Sequence, residues 1–337
     1  MGFLDSRNDP YFIAEIGSNH SNDLEQTLKL IEKIVNNGAD GIKFQLFTAE
    51  GLYVFDTPVF PGETERPFDV AKSVELSRDW LLELKSTTEK LGADFICSPF
   101  SLEDVDTLEK IDICSYKIAS SEINDVILIK HIAETKKPIF LSTGMAKLSD
   151  IELALETIYN YGPCEVFLLQ CTSLYPTPPN EVNLLTMKTL ETAFGCKVGL
   201  SDHTLGIHIT LAATALGAKI IEKHVTTDRS MKGPDHFYAL NPGEFGDMVS
   251  RAQEVKAALG TERKIITNGE VSKRHLSQRS IVAKRKISKG ETFHREDLTT
   301  KRPGYGVPPS FMSQIIGCQA RRDISEDEVV KWEDILG

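Results

Sequence analysis

Short runs of β-branched and other apolar residues alternate with longer segments in which Leu and Ile recur at spacings of three and four along the first 260 residues. The short apolar runs are typical of buried parallel strands. The longer segments, with Leu and Ile at spacings of three and four, are typical of amphipathic helices. The predicted strands are 11–17, 41–47, 95–100, 115–120, 139–143, 166–172, 197–203 and 220–225. The predicted helices are 24–37, 79–91, 102–110, 127–135, 149–159, 184–193, 207–216 and 242–259.

Eight successive β–α units in about 250 residues predict a closed (β/α)₈ TIM barrel, with a doubly wound open sheet as the alternative. We assign residues 1–260 to this catalytic domain, 261–280 to a polar linker and 281–337 to a small β-rich domain. Residues 48–72 are rich in Pro, Gly and Thr and follow the second predicted strand. In a barrel this irregular insertion is expected to overhang the active face as a lid.

Composition and charge narrow the possible partners. Of the 337 residues, 41% are hydrophobic and 26% charged, which is typical of a globular protein. The net charge of −11 does not suggest a nucleic-acid or anionic membrane surface. No apolar run is long enough to span a bilayer, and no signal peptide is apparent. The six cysteines show no paired spacing, so we expect buried thiols and a cytoplasmic protein.

Two histidines end neighbouring predicted strands. His203 shares a strand face with Ser201, and His224 shares one with Glu222, because alternate residues point to the same side. Strands joined by a helix run parallel, so both imidazoles are expected at the same edge of the sheet. Imidazoles there, with carboxylates nearby, suit a divalent metal with open coordination positions. The alternative is that each histidine is only a hydrogen-bonded residue at a strand end.

Two lysines are predicted inside the barrel, Lys43 on the second strand and Lys117 on the fourth. A buried lysine is costly unless it is paired or binds an anion. Strand ends also supply hydroxyls at Ser98, Ser120, Ser142 and Ser201. The combination favours a site for a phosphate and a carboxylate. Ion pairs of the lysines with Glu15 and Glu222, or a Schiff-base lysine, are the alternatives.

Nine segments together resemble the sialic acid synthase family, also called N-acetylneuraminate or nonulosonate synthases. In chain order they are FIAEIGSNH, GIKFQLF, CSPF, YKIASSE, LSTGM, CTSLYPT, GLSDHT, IIEKHVT and KGPDH. The tail segments VAKRKISKGE, DLTTKRPGYGVPP and IIGCQARRDI resemble the family's antifreeze-like (SAF) domain. The resemblance covers nearly the whole chain, and the ordered set is far more specific than any single motif.

The resemblance implies a transferase that condenses phosphoenolpyruvate with an open-chain N-acyl amino sugar. The acceptor would be N-acetylmannosamine or a 2,4-diacetamido-trideoxyhexose, and the products a nine-carbon 2-keto acid and phosphate. A Mn²⁺ or Mg²⁺ ion on His203 and His224 would polarise the sugar aldehyde. Glu15 and Glu222 would handle water and proton transfer, in an order that the sequence leaves open.

The resemblance also assigns the substrate-binding residues. Phosphoenolpyruvate would be held by Lys43, Ser98, Lys117, Ser120, Ser142, Ser173 and Ser201. The acceptor sugar would face Gln45, Phe100, Tyr175, Asp235 and Arg302. Arg302 would come from a partner subunit, which implies a domain-exchanged homodimer. Ser173 stands where many bacterial members carry Asn.

Two other functions remain as alternatives at this point. One is a condensation of the 3-deoxy-heptulosonate synthase type, in which the acceptor is a phosphorylated aldose. The other is a non-catalytic carbohydrate-binding or ice-binding protein that uses the antifreeze-like tail. The paired lysines, histidines and glutamates at the strand ends argue against the second alternative, because a barrel without catalysis does not require them.

Overall fold

The first unit of the chain is a closed barrel of eight parallel strands, which confirms the predicted fold and excludes the open sheet. The computed structural model describes Leu4, residues 10–60 and residues 64–336. The strands are β1 Tyr11–Glu15, β2 Gly41–Leu46, β3 Asp94–Pro99, β4 Ser115–Ile118, β5 Ile139–Ser142, β6 Val166–Cys171, β7 Lys197–Asp202 and β8 Ile220–His224. Each strand pairs with the next, and β8 pairs with β1 to close the ring.

Helices follow the strands and bury one apolar face against them. In chain order they are α1 Leu24–Asn36, α2 Ala49–Leu52, α3 Pro67–Ser73, α4 Leu81–Lys90, α5 Leu102–Lys110, α6 Val126–Glu134, α7 Leu148–Tyr159, α8 Thr186–Phe194, α9 His208–Ala215 and α10 Pro242–Leu259. The helix α1 shows the principle, since Leu30 and Ile31 are buried together with Ile34, which lies one turn further along the same face. The Asp23 side chain begins this helix by accepting from the backbone N–H of Gln26.

The insertion after β2 is more ordered than expected. It contains the short helices α2 and α3, whereas the sequence suggested a wholly irregular segment. Thr48 caps α2 and Pro67 begins α3, and both helices bury apolar residues in a small cluster that includes Phe47 and Phe68. This local apolar contact is what stabilises helices too short to form alone. Residues 61–63 of the insertion lie outside the described residues.

A second compact unit spans Thr261–Gly337 and has its own apolar core. It contains α11 Asn268–Ser277, β9 Ser280–Ala283, β10 Leu298–Lys301, α12 Met312–Ile315, β11 Gln319–Ala320 and β12 Ile335–Leu336. The strands β9 and β10 pair antiparallel, as do β11 and β12. The helix α11 lies within the segment predicted as a linker, and a capping box between Thr267 and Glu270 begins it.

No helix among the described residues is both long and apolar enough to cross a membrane.

The interior of the barrel has two chemically different ends. The amino-terminal end of the strands is filled by a separate apolar cluster, which includes Ile13, Phe140, Phe167 and Ile220. The rings of Phe140 and Phe167 stack there at 5.1 Å between centroids. At the carboxyl end the inward positions become polar, and we call this end the mouth. Strand alternation therefore places the candidate chemistry above an apolar plug.

Candidate active site

Two carboxylates surround one lysine in the mouth. The Nζ of Lys43 lies 2.9 Å from Glu15 Oε2 and 3.7 Å from Glu222 Oε2, and all three side chains are almost fully buried. The Nε2 of Gln45 donates to Glu15 Oε1 at 2.6 Å. The Oγ of Ser201 donates to Glu222 Oε1 at 2.7 Å, across the register pair of β7 and β8. The ion-pair alternative for the barrel lysines therefore holds for Lys43.

Lys117 differs from Lys43 because it has no ion pair with any residue that the structure describes. Its side chain is buried, and its Nζ donates to the backbone oxygen of Ile118 at 3.0 Å. Burial lowers the pKa of Lys117, and the carboxylate of Glu222 opposes this shift. A buried ammonium without an ion-pair partner is costly unless an anion binds there. Lys117 is therefore the residue of the mouth best prepared to bind an anionic ligand.

Several hydroxyls of the mouth are also unsatisfied. The Oγ atoms of Ser98, Ser142 and Ser173 are buried and have no hydrogen-bond partner in the described part of the chain. Ser120 Oγ accepts from the backbone N–H of Gly144 at 3.0 Å. A Cβ on Gly144 would lie 2.5 Å from Ser173 Oγ, so this glycine allows the serines to approach. Buried donors without partners are rare in proteins and indicate a ligand or water site.

The ionisation of the buried charges follows from their neighbours. Burial opposes the charged form of Glu222, but Lys117 and Lys43 outweigh it and lower the pKa of Glu222 to about 2. Burial lowers the pKa of Lys43, and the carboxylates Glu15 and Glu222 reverse this shift to a net rise. Burial also raises the pKa of Glu15 despite the attraction of Lys43. Lys43 therefore remains a cation at neutral pH, and Glu222 a carboxylate.

The two predicted metal ligands do meet in the mouth. The ring centroids of His203 and His224 are 5.4 Å apart. The Nδ1 of His203 lies 3.1 Å from the carbonyl oxygen of Thr172, which can only accept, so this nitrogen carries the proton. Its Nε2 therefore has a free lone pair. Burial lowers the pKa of His224 and favours the neutral imidazole, whose Nδ1 has no hydrogen-bond partner among the described residues.

These two imidazoles fit a divalent metal held by few protein ligands. The neutral imidazole favoured at His224 is the form that binds metals, and Asp235 Oδ2 lies 3.9 Å from His224 Nδ1. Within the described residues, no group of three or more His, Cys, Asp or Glu side chains could hold a metal. Two imidazoles with one carboxylate nearby would leave most coordination positions of a divalent ion to water or substrate.

Asp235 and Tyr175, both predicted to face the acceptor, lie beside the histidines. Tyr175 is half-exposed, and its ring centroid is 4.5 Å from that of His203. Asp235 accepts hydrogen bonds from Tyr238 at 2.6 Å and from Ser18 at 2.7 Å. Burial would raise the pKa of Asp235, but His224 and these two donors lower it overall.

Sequence reasoning missed Ser18 and Tyr238. Ser18 is a hydroxyl residue directly after the first predicted strand, and this position is a signal in the sequence. Its partner Asp235, however, lies 217 residues away. Tyr238 is almost fully buried beside His224, with the ring centroids 5.2 Å apart. Only tertiary structure brings these residues together, because they lie in 3₁₀ helices of three or four residues, which are too short to show a periodic pattern in the sequence.

Phe100 and Arg302 are also predicted to face the acceptor. Phe100 packs edge-on against Phe47 at 5.5 Å, within the apolar cluster of the insertion. Arg302 belongs to the second unit, where its side chain is exposed. The first unit therefore gathers the predicted lysines, serines, glutamates and histidines, while Arg302 belongs to the second unit.

Comparison with known families gives two matches that together span most of the sequence. The sequence profile of the NeuB family matches residues 30–264. The profile of the SAF domain matches residues 278–336.

Individual proteins are similar over almost the whole length. An N,N'-diacetyllegionaminic acid synthase of Campylobacter jejuni is 39% identical, over 95% of this chain and 98% of the relative. A pseudaminic acid synthase of the same species is 33% identical, over 96% of each chain. The crystal structure of an N-acetylneuraminic acid synthetase from Leptospira borgpetersenii, in complex with citrate, superposes with a TM-score of 0.71. It is 31% identical and covers 79% of this chain and 90% of that one.

Proposed function

Since this chain belongs to the NeuB family and carries a SAF domain, we propose that it condenses phosphoenolpyruvate with an open-chain N-acyl amino sugar. The enol carbon C3 of phosphoenolpyruvate forms a bond to the aldehyde carbon of the sugar, and water adds to C2. Cleavage of the C2–O bond then releases phosphate and leaves a nine-carbon 2-keto acid. The relatives named above support acceptors of the N-acetylmannosamine or 2,4-diacetamido-trideoxyhexose type.

The observation that carries this proposal is the set of unsatisfied groups around Lys117. Its buried ammonium has no ion pair among the described residues, and the hydroxyls of Ser98, Ser142 and Ser173 have no partner there. A phosphate and a carboxylate on a three-carbon ligand would satisfy both the charge and the hydroxyls. Lys43, Ser120 and Ser201 complete the residues proposed to hold phosphoenolpyruvate.

His203 and His224 are the residues that would hold the divalent metal, Mn²⁺ or Mg²⁺. When bound, the ion would supply a Lewis acid for the sugar carbonyl. His203 is prepared for this role by its hydrogen bond to Thr172, which fixes the proton on Nδ1. Asp235 and Tyr175, beside the same histidines, would orient the acceptor. Gln45, which donates to Glu15, is also proposed to face the acceptor.

Glu15 and Glu222 are the proposed groups for water and proton handling. Both carboxylates lie beside Lys43 in the mouth, and each has one oxygen already held by Gln45 or Ser201. The remaining oxygen of Glu222 has no hydrogen-bond partner among the residues described. A carboxylate held in this way is oriented for proton transfer within hydrogen-bond reach of a ligand.

Arg302 is proposed to reach the acceptor from a second copy of the chain, as the family resemblance implies. It is exposed on the second unit and forms no ion pair with the residues that the structure describes. Arg302→Ala should therefore raise the KM for the sugar far more than that for phosphoenolpyruvate. Equal losses for both substrates would contradict the role.

The reducing cytoplasm is the proposed setting, in keeping with six free cysteines.

One assay tests the proposed function. The protein is incubated with phosphoenolpyruvate, Mn²⁺ and a panel of acceptors, and phosphate and 2-keto acid are measured with and without a chelator. Turnover with an N-acyl hexosamine that stops on chelation is the expected result. Turnover only with an aldose phosphate would instead indicate a 3-deoxy-heptulosonate-type synthase. Absence of turnover with every acceptor would favour a non-catalytic carbohydrate-binding protein.

A further inference from the structure

A second charged pair lies behind the barrel wall, outside the mouth. The Nζ of Lys223 lies 2.7 Å from Asp202 Oδ2, and both side chains are only 1% exposed. Asp202 and Lys223 are opposite one another in the β7–β8 register, at the last pair of that ladder. Each immediately precedes one of the two histidines, His203 or His224.

Both side chains of this pair form further hydrogen bonds. Asp202 Oδ2 also accepts from Thr210 Oγ1 at 2.9 Å, which ties β7 to α9. Asp202 Oδ1 accepts from the backbone N–H of Thr204 at 2.9 Å. Lys223 Nζ donates to the backbone oxygen of Thr204 at 2.5 Å. The two side chains therefore take over the backbone hydrogen bonds of Thr204 where β7 leaves the sheet.

This arrangement holds the backbone on both sides of His203. The ion pair holds Asp202, the residue before His203. Two hydrogen bonds with the side chains of the pair hold the backbone of Thr204, the residue after His203. Because neighbouring residues of a strand point to opposite faces, the outward direction of Asp202 and Lys223 turns the next side chains toward the lumen. The pair thus acts on the spacing of the imidazoles, whose centroids lie 5.4 Å apart.

The energetics also favour a positioning role over simple stabilisation. A buried ion pair gains little net stability, because the loss of hydration offsets the attraction between the charges. The best documented use of such pairs is to select one register or geometry. Here the pair would select the geometry of the two strand ends, which precede the histidines.

We propose that the buried Asp202–Lys223 pair is a positioning device for the metal centre, holding His203 and His224 at the separation required for one divalent ion. The inference rests on the proposed function, since it concerns the same two imidazoles. Asp202 and Lys223 lie behind the sheet and contact neither phosphoenolpyruvate nor sugar in this scheme. Their effect on the reaction is exerted through the histidines.

The test uses the full chain with the double substitution Asp202→Asn and Lys223→Met. Asparagine can still accept from the backbone N–H of Thr204, and methionine fills the volume of the lysine stem. The double substitution removes both charges, so neither is left buried without its partner. The affinity for Mn²⁺ is measured without substrates, from the electron paramagnetic resonance signal of the free ion. We expect it to be weakened about 10–100-fold, as for other residues that orient metal ligands. The melting temperature without metal should not fall.

A second pair of substitutions gives a matched control. Arg78 and Asp104 form an ion pair in which the carboxylate is likewise 1% exposed, and Asp104 lies on α5. Arg78→Met with Asp104→Asn should leave the affinity for Mn²⁺ unchanged. If the Asp202/Lys223 double variant does not fold, Thr210→Val removes only the hydrogen bond from α9 and should weaken Mn²⁺ binding by a smaller factor.

The possible outcomes separate this inference from the proposed function. Weaker Mn²⁺ binding in the double variant, with an unchanged melting temperature and an unchanged control, supports the positioning role. Unchanged Mn²⁺ affinity overturns it and leaves the proposed function intact. Absence of Mn²⁺ binding by the unsubstituted protein would overturn the metal site in the proposed function, and the inference with it.

Discussion

The two ends of the barrel interior have the same backbone geometry but opposite chemistry. At the amino-terminal end, Tyr11, Ile13, Phe140 and Phe167 pack into an apolar plug. At the mouth, Lys117 lacks an ion pair among the described residues, and nearby serine hydroxyls lack partners. Packing at one end supplies stability, whereas unsatisfied groups at the other end cost stability and are available to a ligand. Substitutions at the apolar end should therefore reduce stability, whereas substitutions at the mouth should reduce ligand binding or turnover.

The largest effect on stability is expected at the apolar end. Phe167→Ala should lower the free energy of unfolding by about 3–5 kcal/mol, because it leaves a cavity beneath Phe140. Denaturant unfolding measures this loss, and the KM of the folded variant for phosphoenolpyruvate should stay the same. A change in KM without a loss of stability would contradict the division of the barrel into two ends.

The largest effect on turnover is expected at His224. Its Nδ1 has no hydrogen-bond partner among the described residues, so His224→Ala removes the proposed metal ligand without breaking a hydrogen bond of that nitrogen. Turnover should fall about 10³-fold, because a metal ion contributes several kcal/mol of charge stabilisation. The melting temperature of the metal-free protein should hardly change.

His131→Ala provides the control for that experiment. His131 lies on the outer helix α6 and binds Asp106, so its loss should leave turnover unchanged. Full activity of the His224→Ala variant in the presence of a chelator would show that the metal assignment is wrong.

A smaller effect, with the opposite sign for stability, is expected at Lys117. Lys117→Met should weaken phosphoenolpyruvate binding about 10–100-fold, the range for one hydrogen bond to a charged group. Stability should stay the same or rise, because a buried ammonium without an ion pair is removed. Calorimetric binding and thermal unfolding measure the two quantities. A clear loss of stability would mean that Lys117 supports the fold rather than the ligand.

The smallest effect is expected from a single hydroxyl. Ser142→Ala should raise the KM for phosphoenolpyruvate about 5–10-fold, since one hydrogen bond is lost. No stability should be lost, because the Oγ of Ser142 has no partner among the described residues. Thr214→Val is the contrasting variant, since Thr214 donates to the backbone oxygen of Thr210 at 3.0 Å. It should reduce stability and leave KM unchanged.

Most of the architecture could be predicted because it depends on local periodicity. Each barrel strand and each of the eight predicted helices was located to within two residues at both ends. The insertion after β2 was predicted less well, because α2 and α3 are short and depend on contacts with Phe47 and Phe68.

The sequence alone determined that imidazole, ammonium and carboxylate groups would end parallel strands and meet at one mouth, because alternation and right-handed β–α connections are local rules. Only the tertiary structure decided which charges pair. Lys43 contacts Glu15, and Lys223 contacts Asp202, while Lys117 has no ion pair among the described residues. Distances of a few ångströms between strands distant in sequence decide these pairings, and periodicity does not specify such distances.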